Sequence, residues 1–93
     1  MPSVNEYFDG AVKSVGYQGP QGRATVGVMA PGAYQFATKA PETMTVIDGT
    51  LTVKLPSSDA WDDYGPGTRF EVPADSSFDL RVAVETSYHC LYH

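Results

Sequence analysis

The sequence predicts an all-β fold in a single domain, and three observations support it. No long stretch of the 93 residues keeps apolar side chains at the i, i+3, i+4, i+7 spacing of an amphipathic helix. Short runs of alternating apolar and polar residues take its place. Clusters of Gly, Pro, Asp and Ser separate those runs at close intervals, the punctuation of strands joined by tight turns.

Ala11–Tyr17 is the first expected strand, closed by the turn-rich Gln18-Gly19-Pro20-Gln21-Gly22. Ala24–Ala30 follows and stops at Pro31-Gly32; Ala33–Thr38 is short and stops at Lys39-Ala40-Pro41. Glu42–Ile47 and Thr50–Leu55 flank Asp48-Gly49. Asp-Gly between two alternating runs predicts a hairpin with a type I′ turn, in which both central residues take positive φ. Pro56–Gly67 is the longest expected loop and carries Trp61 and Tyr64. Thr68–Val72, Phe78–Val84 and Ser87–Tyr92 bring the set to eight strands. Eight short strands with tight turns suit a barrel or jelly roll, which limits exposed strand edges. Residues 1–10 are expected to form a loosely held arm, docked in part through Tyr7 and Phe8. With no repeat, linker or low-complexity segment, residues 1–93 are expected to be one domain.

Composition excludes several function classes. Eleven Asp/Glu against six Lys/Arg give a net charge of −5. A binder of polymeric nucleic acid needs a basic face to release counterions, and this total does not supply one. An anionic small substrate needs only a local basic spot. The segment Met1-Pro2-Ser3-Val4-Asn5-Glu6 lacks the basic and apolar regions of a secretory leader, and no apolar run is long enough to span a bilayer. Cys90 is the single cysteine, so no internal disulfide forms. The expectation is a soluble cytoplasmic protein without membrane partners, with Cys90 a small buried side chain rather than a nucleophile.

Two spacings sharpen the fold. Cupins carry a first motif of Gly, His-x-His, a nearby Glu and a later Gly, and a second motif of Gly-x5-Pro-x-Gly-x2-His. Glu42 to Gly49 has the first separation, and Gly67 to Pro73 has the Gly-x5-Pro of the second. The chain therefore resembles a cupin-like β-barrel or jelly roll. The metal-ligand positions fall on Phe36 and Thr38 for the early histidines and on Phe78 for the late one; only Glu42 keeps a ligating group. A transition metal needs several converging N or O donors, and phenyl rings offer none, so no metal and no cofactor is expected. His89 alternates out of phase with Tyr88 and Cys90 and is expected to face outward, with His93 a frayed chain end.

A longer set of segments runs nearly end to end. It includes Asn5-Glu6-Tyr7-Phe8, Val12-Lys13-Ser14, Ala24-Thr25-Val26-Gly27-Val28-Met29 and Met44-Thr45-Val46. It continues with Gly49-x-Leu51-x-Val53-x-Leu55-Pro56, Trp61, Phe70-x-Val72-Pro73 and Ser87-Tyr88-x-Cys90-x-Tyr92. Together these resemble the small bacterial pyrimidine/purine nucleoside phosphorylases, a cupin-like family of about this length. The resemblance implies phosphorolysis of many purine or pyrimidine nucleosides to a free base and a pentose 1-phosphate, here α-D-ribose 1-phosphate. Inorganic phosphate is then a co-substrate, and a homodimer is expected.

The residues offer candidates for that chemistry. Phosphorolysis needs no covalent enzyme nucleophile; positioning and electrostatics suffice. An inward Glu42 among apolar neighbours must find partners or take up a proton, and is the candidate to hold ribose hydroxyls and stabilise a cationic sugar. Tyr34, Phe36, Met44, Phe78 and Tyr88 are the candidates to line an apolar slot in which a base stacks. Arg23 and Lys13 are the candidate phosphate-binding cations; Arg81 and Lys54 are expected to face solvent. Trp61 and Tyr64 suit either a lid or an interface. Two other readings stay open: a non-catalytic cupin-like module that binds a small ligand, and a metal-dependent cupin enzyme.

Overall fold

The computed structural model describes residues 2–93. Met1, at the head of the expected arm, lies outside them. The described residues are all-β, with ten strands in two antiparallel sheets. The larger sheet holds β1 (Ser3–Tyr7), β2 (Val12–Gly19), β3 (Gly22–Met29), β10 (Thr86–Tyr92), β5 (Glu42–Asp48) and β8 (Arg69–Val72), in that spatial order. The smaller sheet holds β4 (Gly32–Ala37), β9 (Ser77–Val82), β6 (Leu51–Lys54) and β7 (Asp62–Tyr64).

The alternation that predicted the strands also orients them. On β9, Phe78, Leu80 and Val82 are buried while Arg81 is exposed. On β10, Thr86, Tyr88 and Cys90 are buried and His89 faces the other way, with its ring beside Tyr17 at 6.5 Å. The inner faces meet in one apolar core that includes Met29, Val46, Leu51, Val53 and Leu80.

Four expectations need correction. The first is closure: the edge strands β1, β8, β4 and β7 do not pair across the two sheets, so there is no closed barrel among the described residues. The chain changes sheet at its corners, and Pro31, Pro41, Pro66 and Pro73 stand there, without the N–H that a continuous ladder requires.

The second is Asp48-Gly49. Here β5 and β6 belong to different sheets, and only Gly49 takes positive φ, at 100°. The glycine serves a close approach, since a Cβ at Gly49 would lie 2.9 Å from Thr86 Cα. Thr86, fully buried, accepts a hydrogen bond from Thr50 N at 3.1 Å and donates to Val84 O at 2.8 Å.

The third is the N-terminal arm, which pairs with β2 from Ser3↔Gly16 to Tyr7↔Val12. The hairpin turn lies at Phe8 and Asp9, with consecutive positive φ of 53° and 57°. Such backbone is unfavourable for a bulky residue. The Phe8 ring offsets it by packing on Tyr34 at 5.0 Å and Phe36 at 5.4 Å.

The fourth is His93, which is held rather than frayed. Its N–H donates to Pro41 O at 2.9 Å, and its Nε2 lies 2.8 Å from Thr43 Oγ1. The expected loop 56–67 also contains a short strand, β7. There Trp61 lies under the Arg81 guanidinium at 3.9 Å, and Tyr64 packs on Phe70 at 4.8 Å.

Candidate functional site

Between the sheets opens a cavity of about 410 Å³, within the ~300–1,000 Å³ typical of small-molecule sites. Period-2 alternation builds its wall. Arg23, Thr25 and Met29 come from one face of β3, Glu42 and Met44 from β5, and Tyr88, Cys90 and Tyr92 from β10. The smaller sheet supplies Phe36 and Phe78, register partners on β4 and β9 whose rings stack at 6.0 Å and 27°. Tyr7 reaches in from β1 and meets Phe36 edge-on at 6.0 Å.

Burial divides this wall into levels. Met29, Met44, Phe78, Tyr88 and Cys90 are 1 to 5 % exposed and form an apolar floor. Phe36, Glu42 and Tyr92 are half-buried. Arg23, Ala37 and Lys39 are exposed and mark the mouth. The Arg23 guanidinium lies 6.0 Å from the centre of the Tyr92 ring, and Tyr92 is the cross-strand partner of Glu42.

Glu42 is the one carboxylate lining the cavity. The Cys90 thiol donates to its Oε1 at 3.3 Å, the only side-chain hydrogen bond to this carboxylate among the described residues. Among the described residues the second oxygen has no side-chain partner. Burial raises the Glu42 pKa above the ordinary carboxylate value, and the thiol hydrogen bond lowers it by less. Burial and the neighbouring carboxylate push the Cys90 thiol well up, so it stays protonated and acts as a donor. Burial is also the main cause of the raised Tyr88 hydroxyl, at about 12, and of the raised Tyr92 hydroxyl. Both remain neutral donors at physiological pH.

A family model described as "Pyrimidine/purine nucleoside phosphorylase" matches residues 2–92. A curated pyrimidine/purine nucleoside phosphorylase from Pseudomonas entomophila is 59 % identical over 92 residues, covering 99 % of this chain and 98 % of the relative. The chain belongs to the pyrimidine/purine nucleoside phosphorylase family. Among solved structures, a Vibrio parahaemolyticus protein of unknown function is 44 % identical with a TM-score of 0.94, over 97 % of this chain and 96 % of that one. A putative ethanolamine utilization protein Q from Salmonella typhimurium has a TM-score of 0.74 at 15 % identity, over 99 % of this chain and 94 % of that one. That likeness concerns the fold alone, which is cupin-like. No helix in the described residues is long and apolar enough to cross a membrane.

In this family member the residues at the cupin ligand positions do not suit a metal. Phe36 and Phe78 stack on each other. Thr38 is buried, donates to Pro73 O at 2.7 Å and accepts from Ser76 N at 3.1 Å. Among the described residues no group of three or more His, Cys, Asp or Glu converges on a point.

Of the residues singled out from the sequence, Glu42, Phe36, Met44, Phe78, Tyr88 and Arg23 all line this cavity. Tyr34 and Lys13 do not. Tyr34 packs in the core with its hydroxyl donated to Ala30 O at 2.6 Å. Lys13 alternates with the buried Val12 and Ser14, so it points outward, where its Nζ lies 3.6 Å from Glu6 Oε1. Sequence reasoning missed Lys39, Thr25, Cys90 and Tyr92 as lining residues. Tyr92 and Cys90 share the phase of Tyr88, and Thr25 that of Arg23, so alternation held that signal. Lys39 lies in a loop, where no periodicity points.

Proposed function

We propose that this cavity phosphorolyses purine and pyrimidine nucleosides, without a metal, to the free base and α-D-ribose 1-phosphate. The supporting observation is the half-buried Glu42 carboxylate, with one oxygen tied to Cys90 and the other without a side-chain partner among the described residues, in a cavity that has both an apolar floor and two cations in its lining. The base lies on the floor against Phe36, Phe78 and Met44, where stacking tolerates many bases. The Tyr88 ring belongs to the same floor, with its hydroxyl held against Gly27. The free Glu42 oxygen accepts from a ribose hydroxyl and stabilises positive charge as it grows on the sugar. Arg23 faces the phosphate end.

The reaction balances without a covalent intermediate. The bond from the anomeric carbon to the base nitrogen breaks, and its electron pair leaves with the base. A phosphate oxygen forms the new bond to that carbon from the opposite face. The proton carried by hydrogenphosphate ends on the base.

The test is incubation with inosine or uridine and inorganic phosphate, with base and ribose 1-phosphate measured together. Equal amounts of both products are expected. No product at any phosphate concentration would leave the non-catalytic binding module as the reading to keep. A homodimer is part of the proposal, and a monomer by analytical ultracentrifugation would remove it.

A further inference from the structure

Each of the six cations has a definite place in the fold. Lys13 pairs with Glu6, the one ion pair among the described residues. Arg81 covers Trp61. Lys54 and Arg69 alternate with the buried Val53 and Phe70, so both point to the outer faces of their sheets. Of the six, only Arg23 and Lys39 line the cavity, both at its mouth, and neither has a carboxylate within ion-pair distance among the described residues.

We propose that Lys39 and Arg23 together form the phosphate seat, at the mouth of the cavity and on the far side of Glu42 from the apolar floor. This rests on the phosphorolysis reading and deepens it. Phosphate must reach the anomeric carbon from the face opposite the departing base. A base on the floor and a sugar at Glu42 leave only the mouth for the attacking oxygen. The net charge of −5 disfavours anions over the surface as a whole, and Arg23 and Lys39 are the two cations that line the cavity, a local positive spot at its opening. Arginine supplies a planar fork and lysine a point charge, a complementary pair for a tetrahedral dianion.

The loop that carries Lys39 is fixed at both ends. Thr38 N donates to Ser76 O at 2.8 Å and its hydroxyl to Pro73 O at 2.7 Å on one side. On the other, His93 N donates to Pro41 O at 2.9 Å. Arg23 has the Tyr92 ring beside it, one strand from Glu42. Both cations thus start from anchored backbone, which lowers the entropy lost when they close on an anion.

The experiment measures initial rates with phosphate varied at saturating inosine and inosine varied at saturating phosphate, for wild type, Lys39→Gln, Lys39→Arg and Arg23→Gln. The KM for phosphate should rise on the order of tenfold or more in Lys39→Gln and Arg23→Gln, with Lys39→Arg recovering much of it. The KM for inosine should stay within about twofold, since neither cation faces the base. An unchanged phosphate KM in Lys39→Gln, or an equal rise in the inosine KM, overturns the seat. Phosphorus NMR of inorganic phosphate provides a second arm. Line broadening by wild type that vanishes in the Arg23→Gln/Lys39→Gln double variant supports the seat even without turnover; equal broadening, or none by wild type, overturns it. A wild type that binds phosphate yet releases no base sinks the phosphorolysis reading and leaves the seat standing.

Discussion

The thiol of Cys90 donates a hydrogen bond to Glu42 Oε1 at 3.3 Å, from one strand of the larger sheet to its neighbour. It ties one oxygen of a carboxylate that lines the cavity. It also opposes the effect of burial, which favours the protonated carboxyl.

That balance sets a pH dependence. The acid limb of kcat/KM should lie above 4.5, the ordinary glutamate value, because in the proposed reaction the raised carboxyl ionises to stabilise the sugar. Cys90→Val removes the lowering hydrogen bond and should move the limb further up, while Cys90→Ser keeps a donor and should leave it nearly in place. A limb that ignores both changes would separate Glu42 from the reaction.

Stability carries the opposite sign. The folded chain holds the Glu42 proton longer than the unfolded chain, so this group's contribution falls as pH rises from 4.5 through its raised value. Glu42→Gln should remove that decline, as seen in melting temperatures across the same window. The same variant should lose turnover on the order of a hundredfold, because a neutral amide no longer balances the cationic sugar.

The two stacked phenyl rings should separate binding from folding. Phe36 is half-buried, and Phe36→Ala should raise the KM for inosine and uridine alike by about tenfold, the lower end of a stacking contact. Phe78 is buried in the core, so Phe78→Ala should cost about 3–5 kcal/mol of stability in denaturant titration. A loss confined to one base class in Phe36→Ala would replace stacking with edge recognition.

Gly49→Ala should destabilise the fold by about 2 kcal/mol, through positive φ and a clash with Thr86. Adding Thr86→Ala should not restore it, because the new methyl would still lie 2.9 Å from the backbone of residue 86. Restored stability in the double variant would put the strain in the threonine side chain instead.

Prolonged dialysis against a chelator should leave phosphorolysis unchanged, since Phe36 and Phe78 carry no donors and both hydrogen-bonding roles of Thr38 are taken up by backbone. Activity lost on chelation and regained with one divalent metal would revive the metal-dependent cupin.

Much of this was legible along the chain. Alternation gave the strands, the inward phase of Phe78, Leu80, Tyr88 and Cys90, and the outward phase of Arg81. The strand Ser3–Tyr7 left no such mark, because Val4 and Tyr7 both stay exposed and backbone pairing alone holds much of it. Asp48-Gly49 carried a hairpin signal that the fold uses instead to pass between sheets.

The sequence by itself determined an all-β, cupin-like chain with phenyl groups at the metal positions and one carboxylate facing inward. A strand with a single buried face writes that face into every second residue, so these features are local. Only the tertiary structure decided that the two sheets stay open, that Lys13 pairs outward with Glu6, that Tyr34 packs in the core beside the cavity instead of lining it, and that Lys39 joins Arg23 at its mouth. Those outcomes depend on which distant strands pair and where the connecting loops are tied, and no periodicity along the chain encodes either.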